Sequence, residues 1–138
     1  MSHRFVLIVE DSRDLAANLE IACAAIGGVE IRVAVDGEQA WEILQQVRAD
    51  DKVVIVTDIR LPDTNGLDLI RRVRQSERLQ SAPIIAVSGD GDPEIPKELA
   101  TLQVSAFFRK PYSPVMVRNH LESLLGASGA GVADNSQA

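Results

Sequence analysis

Continuous apolar runs recur along the chain and alternate with stretches whose apolar residues fall every three or four positions. FVLIV over 5–9, VVIV over 53–56 and IIAV over 84–87 carry no polar alternation, the pattern of strands covered on both faces in a parallel sheet. Residues 29–35, β-branched but less uniformly apolar, and AFFR over 106–109 read as two further strands. The intervening stretches have helical period. Leu15, Leu19, Ala22, Cys23 and Ile26 share one face before Gly27-Gly28; Ala40, Ile43, Leu44 and Val47 share another, with Trp41 at its edge; Leu67, Ile70 and Val73 define a third. A fourth helix is entered at Asp92-Pro93 and runs to about residue 103, with Pro96 near its start, and a fifth buries Val117, Leu121, Leu124 and Leu125. Ser12, Asp36 with Gln39 three residues on, and Ser113-Pro114 are start signals. Arg71, Arg72 and Arg74 read as the solvated face of the third helix.

Strands alternating with helices specify an α/β sandwich with a parallel sheet and right-handed crossovers. From residue 126 onward GASGAGVADNSQA has no periodicity, so one domain over 1–125 and a disordered tail over 126–138 are expected.

Composition narrows the classes. A chain of 138 residues with 46% hydrophobic content has room for one real core. A net charge of −6 argues against nucleic-acid binding, which needs a basic footprint. No run approaches the roughly 20 apolar residues of a membrane span, and the start is unlike a signal peptide, so the chain reads as cytoplasmic with no membrane partner. Cys23 is the single cysteine, which excludes an internal disulfide and a cysteine-based zinc cluster; on its apolar face it reads as core filler. His3 and His120 are far apart and have no ligand-like neighbours.

The candidate chemistry stands at the carboxyl ends of the strands, where open α/β sheets bind ligands. The first strand delivers Glu10 and Asp11, the third Asp58, the fourth Ser88 and the fifth Lys110; the second delivers nothing comparable. Taken alone, Asp58 reads equally as a reactive acid or as a turn residue. Three carboxylates brought together repel one another unless a cation intervenes. Oxygen ligands without Cys or His are the chemistry of a hard ion, Mg²⁺ in a cell. A lysine and a hydroxyl beside such a cluster are redundant for metal binding alone, but they suit an arriving phosphoryl group.

This constellation resembles the response-regulator receiver family, across about residues 4–125. The resemblance implies a flavodoxin-like (βα)5 fold with a five-stranded parallel sheet in the order 2-1-3-4-5. It implies Asp58 as phosphoacceptor, forming an aspartyl phosphate, and Mg²⁺ held by Glu10, Asp11, Asp58 and the backbone carbonyl of Arg60. Ser88 matches the hydroxyl that follows the phosphoryl oxygen and Lys110 the lysine that pairs with it, across a cis Lys110-Pro111 bond. Phe107 falls at the aromatic switch position but lacks a tyrosine hydroxyl, and core packing is its other reading. Arg60 and Asp90 fall where the path of the hydrolytic water is flanked; either they pair and slow loss of the phosphoryl group, or they are independent solvated side chains. By the same resemblance the donor is a histidine kinase or a phosphotransfer protein. The output is a surface of the fourth helix, fifth strand and fifth helix that meets a downstream protein or a second copy of the chain. Such a protein is not an enzyme in the ordinary sense, since it catalyses only its own phosphorylation and dephosphorylation.

Other classes fit less well. A phosphatase of the haloacid-dehalogenase type wants a second Asp two residues after the nucleophile, where this chain has Arg60. A flavin carrier of similar topology needs a Ser/Thr/Gly-rich phosphate loop after the first strand, where this chain has Glu10-Asp11. A constitutive interaction module has no need of the acceptor, acid pair, hydroxyl and lysine together.

Overall fold

The alternating pattern resolves into β1 (Arg4–Val9), α1 (Arg13–Cys23), β2 (Glu30–Ala34), α2 (Gly37–Gln45), β3 (Lys52–Asp58), α3 (Gly66–Gln75), β4 (Ile84–Ser88), α4 (Glu94–Thr101), β5 (Ala106–Arg109) and α5 (Pro114–Leu124). The structure, a computed structural model, describes residues 3–126 apart from Asp90. The tail expected from 126 onward, save Gly126, and every expectation for Asp90 lie outside the described residues. The strands form one sheet in the order β2-β1-β3-β4-β5, each neighbouring pair parallel.

Both faces of the sheet are covered, which is why the central runs show no polar alternation. Along β1, Phe5, Leu7 and Val9 point into a layer shared with Ile55 and Ile84 and with Leu44 of α2, Ile70 of α3 and Leu99 of α4. Val6 and Ile8 point the other way, toward Val54, Val56 and Ile85, Leu19 and Cys23 of α1, and Val117 and Leu121 of α5. Cys23 is fully buried there, and burial pushes its thiol up to about 11, so it is inert packing material as expected. Trp41 is half-buried against the α2–α4 layer.

The departures from the pattern have local causes. β2 is shorter than the β-branched run because Asp36 must cap α2: its carboxylate accepts from Gln39 N at 2.8 Å, while Gln39 reaches back to Val35 N at 2.8 Å. As an edge strand it exposes Glu30 and Arg32 alternately. α4 begins one residue later than the Asp92-Pro93 signal predicts. Pro93 is the N-cap in helical conformation, and Asp92 accepts instead from Glu94 N at 2.9 Å. Pro96 thus falls in the first turn, where a missing N–H costs no helical bond.

The arginines of α3 are not a plain solvated face. Arg71 pairs with Asp68 at 2.6 Å and with Glu98 of α4 at 2.7 Å, and the Arg72 guanidinium lies 4.2 Å from the centre of the Trp41 ring. Arg74 donates to the carbonyls of Leu102, Gln80, Ala82 and Gln103 at 2.8 to 3.1 Å, tying the turns that enter β4 and β5 to α3. Arg78 does the same for the end of α2, donating to the carbonyls of Val47, Leu44 and Gln45.

Candidate functional site

Three adjacent parallel strands, β1, β3 and β4, end on the same edge of the sheet, with β5 beside them, and their last residues meet there. Glu10 follows β1, with its backbone N–H bound to Ala34 O at 3.0 Å and its carboxylate Oε2 accepting from Ser12 N at 3.0 Å. Asp58 closes β3. Its Oδ1 accepts from Arg60 N at 3.1 Å and its Oδ2 from Lys110 Nζ at 2.5 Å. Glu10 and Asp58 are buried at 2% and 4% exposure, whereas Asp11 faces solvent, so the cluster has a dry floor and an open mouth.

One carboxylate oxygen from each of Glu10, Asp11 and Asp58 lies within 4.8 Å of the others. The Lys110 ammonium forms an ion pair with Glu10 Oε1 at 3.1 Å but stands outside hydrogen-bond geometry, so among the described residues that buried oxygen accepts no hydrogen bond. Three carboxylates against one ammonium leave the pocket negative. A buried oxygen left without a hydrogen bond, within an all-oxygen donor set, fits a hard divalent cation that keeps several waters, as Mg²⁺ does.

The electrostatics agree. Burial raises the Glu10 carboxyl above its ordinary range against the lowering effect of the Ser12 N–H, and the Asp58 charge adds to the rise. Burial alone pulls Lys110 toward neutrality, but the hydrogen bond and charge of Asp58, followed by the charge of Glu10, outweigh it and hold the ammonium above its usual pKa. The Tyr112 phenol, just past the cis Lys110-Pro111 bond, is pushed up to about 12 by burial and then by Glu10, so it stays protonated, and among the described residues its hydroxyl has no hydrogen-bond partner.

The structure therefore brings Glu10, Asp11, Asp58 and Lys110 together. Ser88 is fully buried at the end of β4, and its carbonyl accepts from Lys110 N at 2.9 Å. Phe107, paired in register with Ala86, is half-buried against the α2–α4 layer, three residues before the lysine. Two residues that the sequence pattern does not single out shape the loop between β3 and α3. Gly66 N donates to Ile59 O at 2.6 Å, and a Cβ on Gly66 would collide with the Asp58 carbonyl and come within 2.8 Å of Ile59 Cα. Asp63 leaves the loop to accept from Gly37 N and Glu38 N of α2, both at 2.9 Å. Its partners are backbone N–H groups distant in sequence, which leave no trace in residue types.

An acid cluster with a neighbouring lysine, at the carboxyl edge of a doubly wound parallel sheet, defines a class of α/β domains whose strand-end oxygens suit a hard cation. Within that class the chain belongs to the response regulator receiver domain family, whose model matches residues 6–122. It is 32% identical over 123 residues to the chemotaxis protein CheY1 of Helicobacter pylori, covering 89% of this chain and 98% of that one. It is 29% identical over 130 residues to a CheY homolog of Campylobacter jejuni, covering 94% and 98%. A response regulator receiver protein from Pseudomonas putida superposes with a TM-score of 0.78 at 30% identity, over 88% of this chain and 98% of that one. Members of the family are signalling proteins, and among the described residues no helix is long and apolar enough to cross a membrane.

Proposed function

We propose that the protein is a phospho-accepting receiver of a two-component or phosphorelay system, with Asp58 as the acceptor. The observation that carries this reading is the juxtaposition of the Glu10, Asp11 and Asp58 oxygens with an ammonium 2.5 Å from the Asp58 carboxylate. A carboxylate oxygen of Asp58 attacks phosphorus, a P–O bond forms, and the bond to the donor nitrogen of a phosphohistidine breaks, its electron pair leaving with the imidazole. Glu10, Asp11, Asp58 and the Arg60 carbonyl would hold Mg²⁺, which when bound neutralises charge on the phosphoryl oxygens. Once Asp58 is an acyl phosphate its carboxylate charge is gone, so the Lys110 ammonium turns to a phosphoryl oxygen, and the Ser88 hydroxyl donates to another.

The donor is a histidine kinase or a phosphotransfer protein. Movement of Ser88 opens space for Phe107 to turn inward, altering the α4-β5-α5 surface that a downstream protein or a second copy of the chain reads. In the receiver pattern the positions two residues beyond the acceptor and two beyond the hydroxyl flank the path of the hydrolytic water, and a bridge between Arg60 and Asp90 slows hydrolysis; Arg60→Ala is expected to shorten the phosphoryl lifetime, and an unchanged dephosphorylation rate would refute the bridge. Incubation with Mg²⁺ and acetyl phosphate followed by intact mass tests the whole reading. The expected result is a labile phosphoryl adduct that Asp58→Asn abolishes; no adduct, with partner capture indifferent to phosphodonor, would make the chain a constitutive interaction module.

A further inference from the structure

We propose that Asp63 is a positioning residue for the metal: its grip on the first two N–H groups of α2 fixes the acceptor loop so that the Arg60 carbonyl is held ready as a ligand. The proposal rests on the receiver reading above. The loop between β3 and α3 is pinned at its base by the Gly66 N–H on Ile59 O and, near Asp58, by the Arg60 N–H on the acceptor carboxylate. Its far side is fixed from outside. The two oxygens of Asp63 take one N–H each from Gly37 and Glu38, satisfying donors that a helix start otherwise leaves to water.

The approach is built on both sides. Gly37 admits the loop because it lacks a side chain: a Cβ there would run into the Thr64 methyl and sit 3.4 Å from Asp63 Oδ1. Nor does α2 need Asp63 for want of a cap of its own, since Asp36 is already its N-cap, binding Gln39 N at 2.8 Å. A second carboxylate at the same helix end, supplied by the acceptor loop, holds the loop more than it completes the helix. Groups that orient metal ligands through an intermediate typically matter to affinity by 10- to 100-fold.

The pair Asp36 and Asp63 supplies the test. Each variant removes one carboxylate and one set of contacts from the same helix end, but only Asp63→Ala frees the loop. Calorimetric titration with Mg²⁺ alone, on unphosphorylated full-length protein, is expected to show affinity reduced roughly tenfold in Asp63→Ala and changed by less than about twofold in Asp36→Ala, which leaves the loop contacts in place. Asp63→Asn, which keeps one acceptor, is expected to fall between and serves if the alanine variant does not fold. At saturating Mg²⁺ the rate of labelling by acetyl phosphate returns to the wild-type value, because the defect lies in holding the metal. Wild-type affinity in both Asp63 variants would overturn the proposal while leaving the receiver reading intact. So would an equal loss in Asp36→Ala, which would trace the effect to α2 or to net charge. Failure of the wild-type protein to bind Mg²⁺ would overturn both.

Discussion

Gly66 shows how little room surrounds Asp58. Its position, with Ile59 Cα only 2.8 Å from where a Cβ would sit, brings the start of α3 directly against the end of β3. A methyl group there has no flexible neighbour to displace, only backbone. Gly66→Ala is expected to cost about 2 to 3 kcal/mol in urea unfolding, and because the displaced atoms include the Asp58 carbonyl, acetyl phosphate labelling should fall with it. Asp58 itself is legible at this scale only through its company. Nothing in VVIVTD sets Asp58 apart from a turn residue; the proposed role rests on Glu10 and Asp11 at the end of β1 and Lys110 at the end of β5, which the structure gathers around it.

Among the elements, α4 carries a conformational burden at its exit. Gln103 adopts φ 58°, the left-handed region, and the bonds Gln103 N to Ala100 O and Val104 N to Leu99 O close the helix in the manner usually given to glycine. Gln103→Gly is expected to stabilise the protein by about 1 kcal/mol, read as a higher urea midpoint with unchanged slope. Arg74 secures the same turn from α3. Arg74→Met, which keeps the stem and removes the donors, is expected to cost about 2 to 3 kcal/mol, and lysine should rescue little, since a single ammonium cannot span four carbonyls. Contacts of this kind explain what sequence reading misses. Arg74, Arg78 and Asp63 all bind backbone groups, which every residue possesses, so their partners are invisible until the chain is folded. The helix caps at Asp36 and Ser113 were legible because their partners lie three residues away.

For the molecule as a whole, the layering was legible because the sheet is buried on both sides: β1, β3 and β4 can only be continuous apolar runs, and the strand order followed from the family resemblance. The edges were less so, β2 because two of its five residues are exposed and only Ala34 is buried. The proposed site has a global consequence, since a cluster that gathers like charges is a stability cost that a cation offsets. At Mg²⁺ a hundredfold above its dissociation constant, unfolding free energy is expected to rise by about 2.7 kcal/mol, an increment that chelation reverses and that Glu10→Gln diminishes. The two layers also divide the chain's rarest side chains between them. Its single cysteine is sealed between α1 and α5, and its single tryptophan lies in the opposite layer under Arg72. Thiol labelling therefore times the opening of one side of the sheet and indole emission that of the other, so the unmodified protein can reveal whether its two halves come apart together.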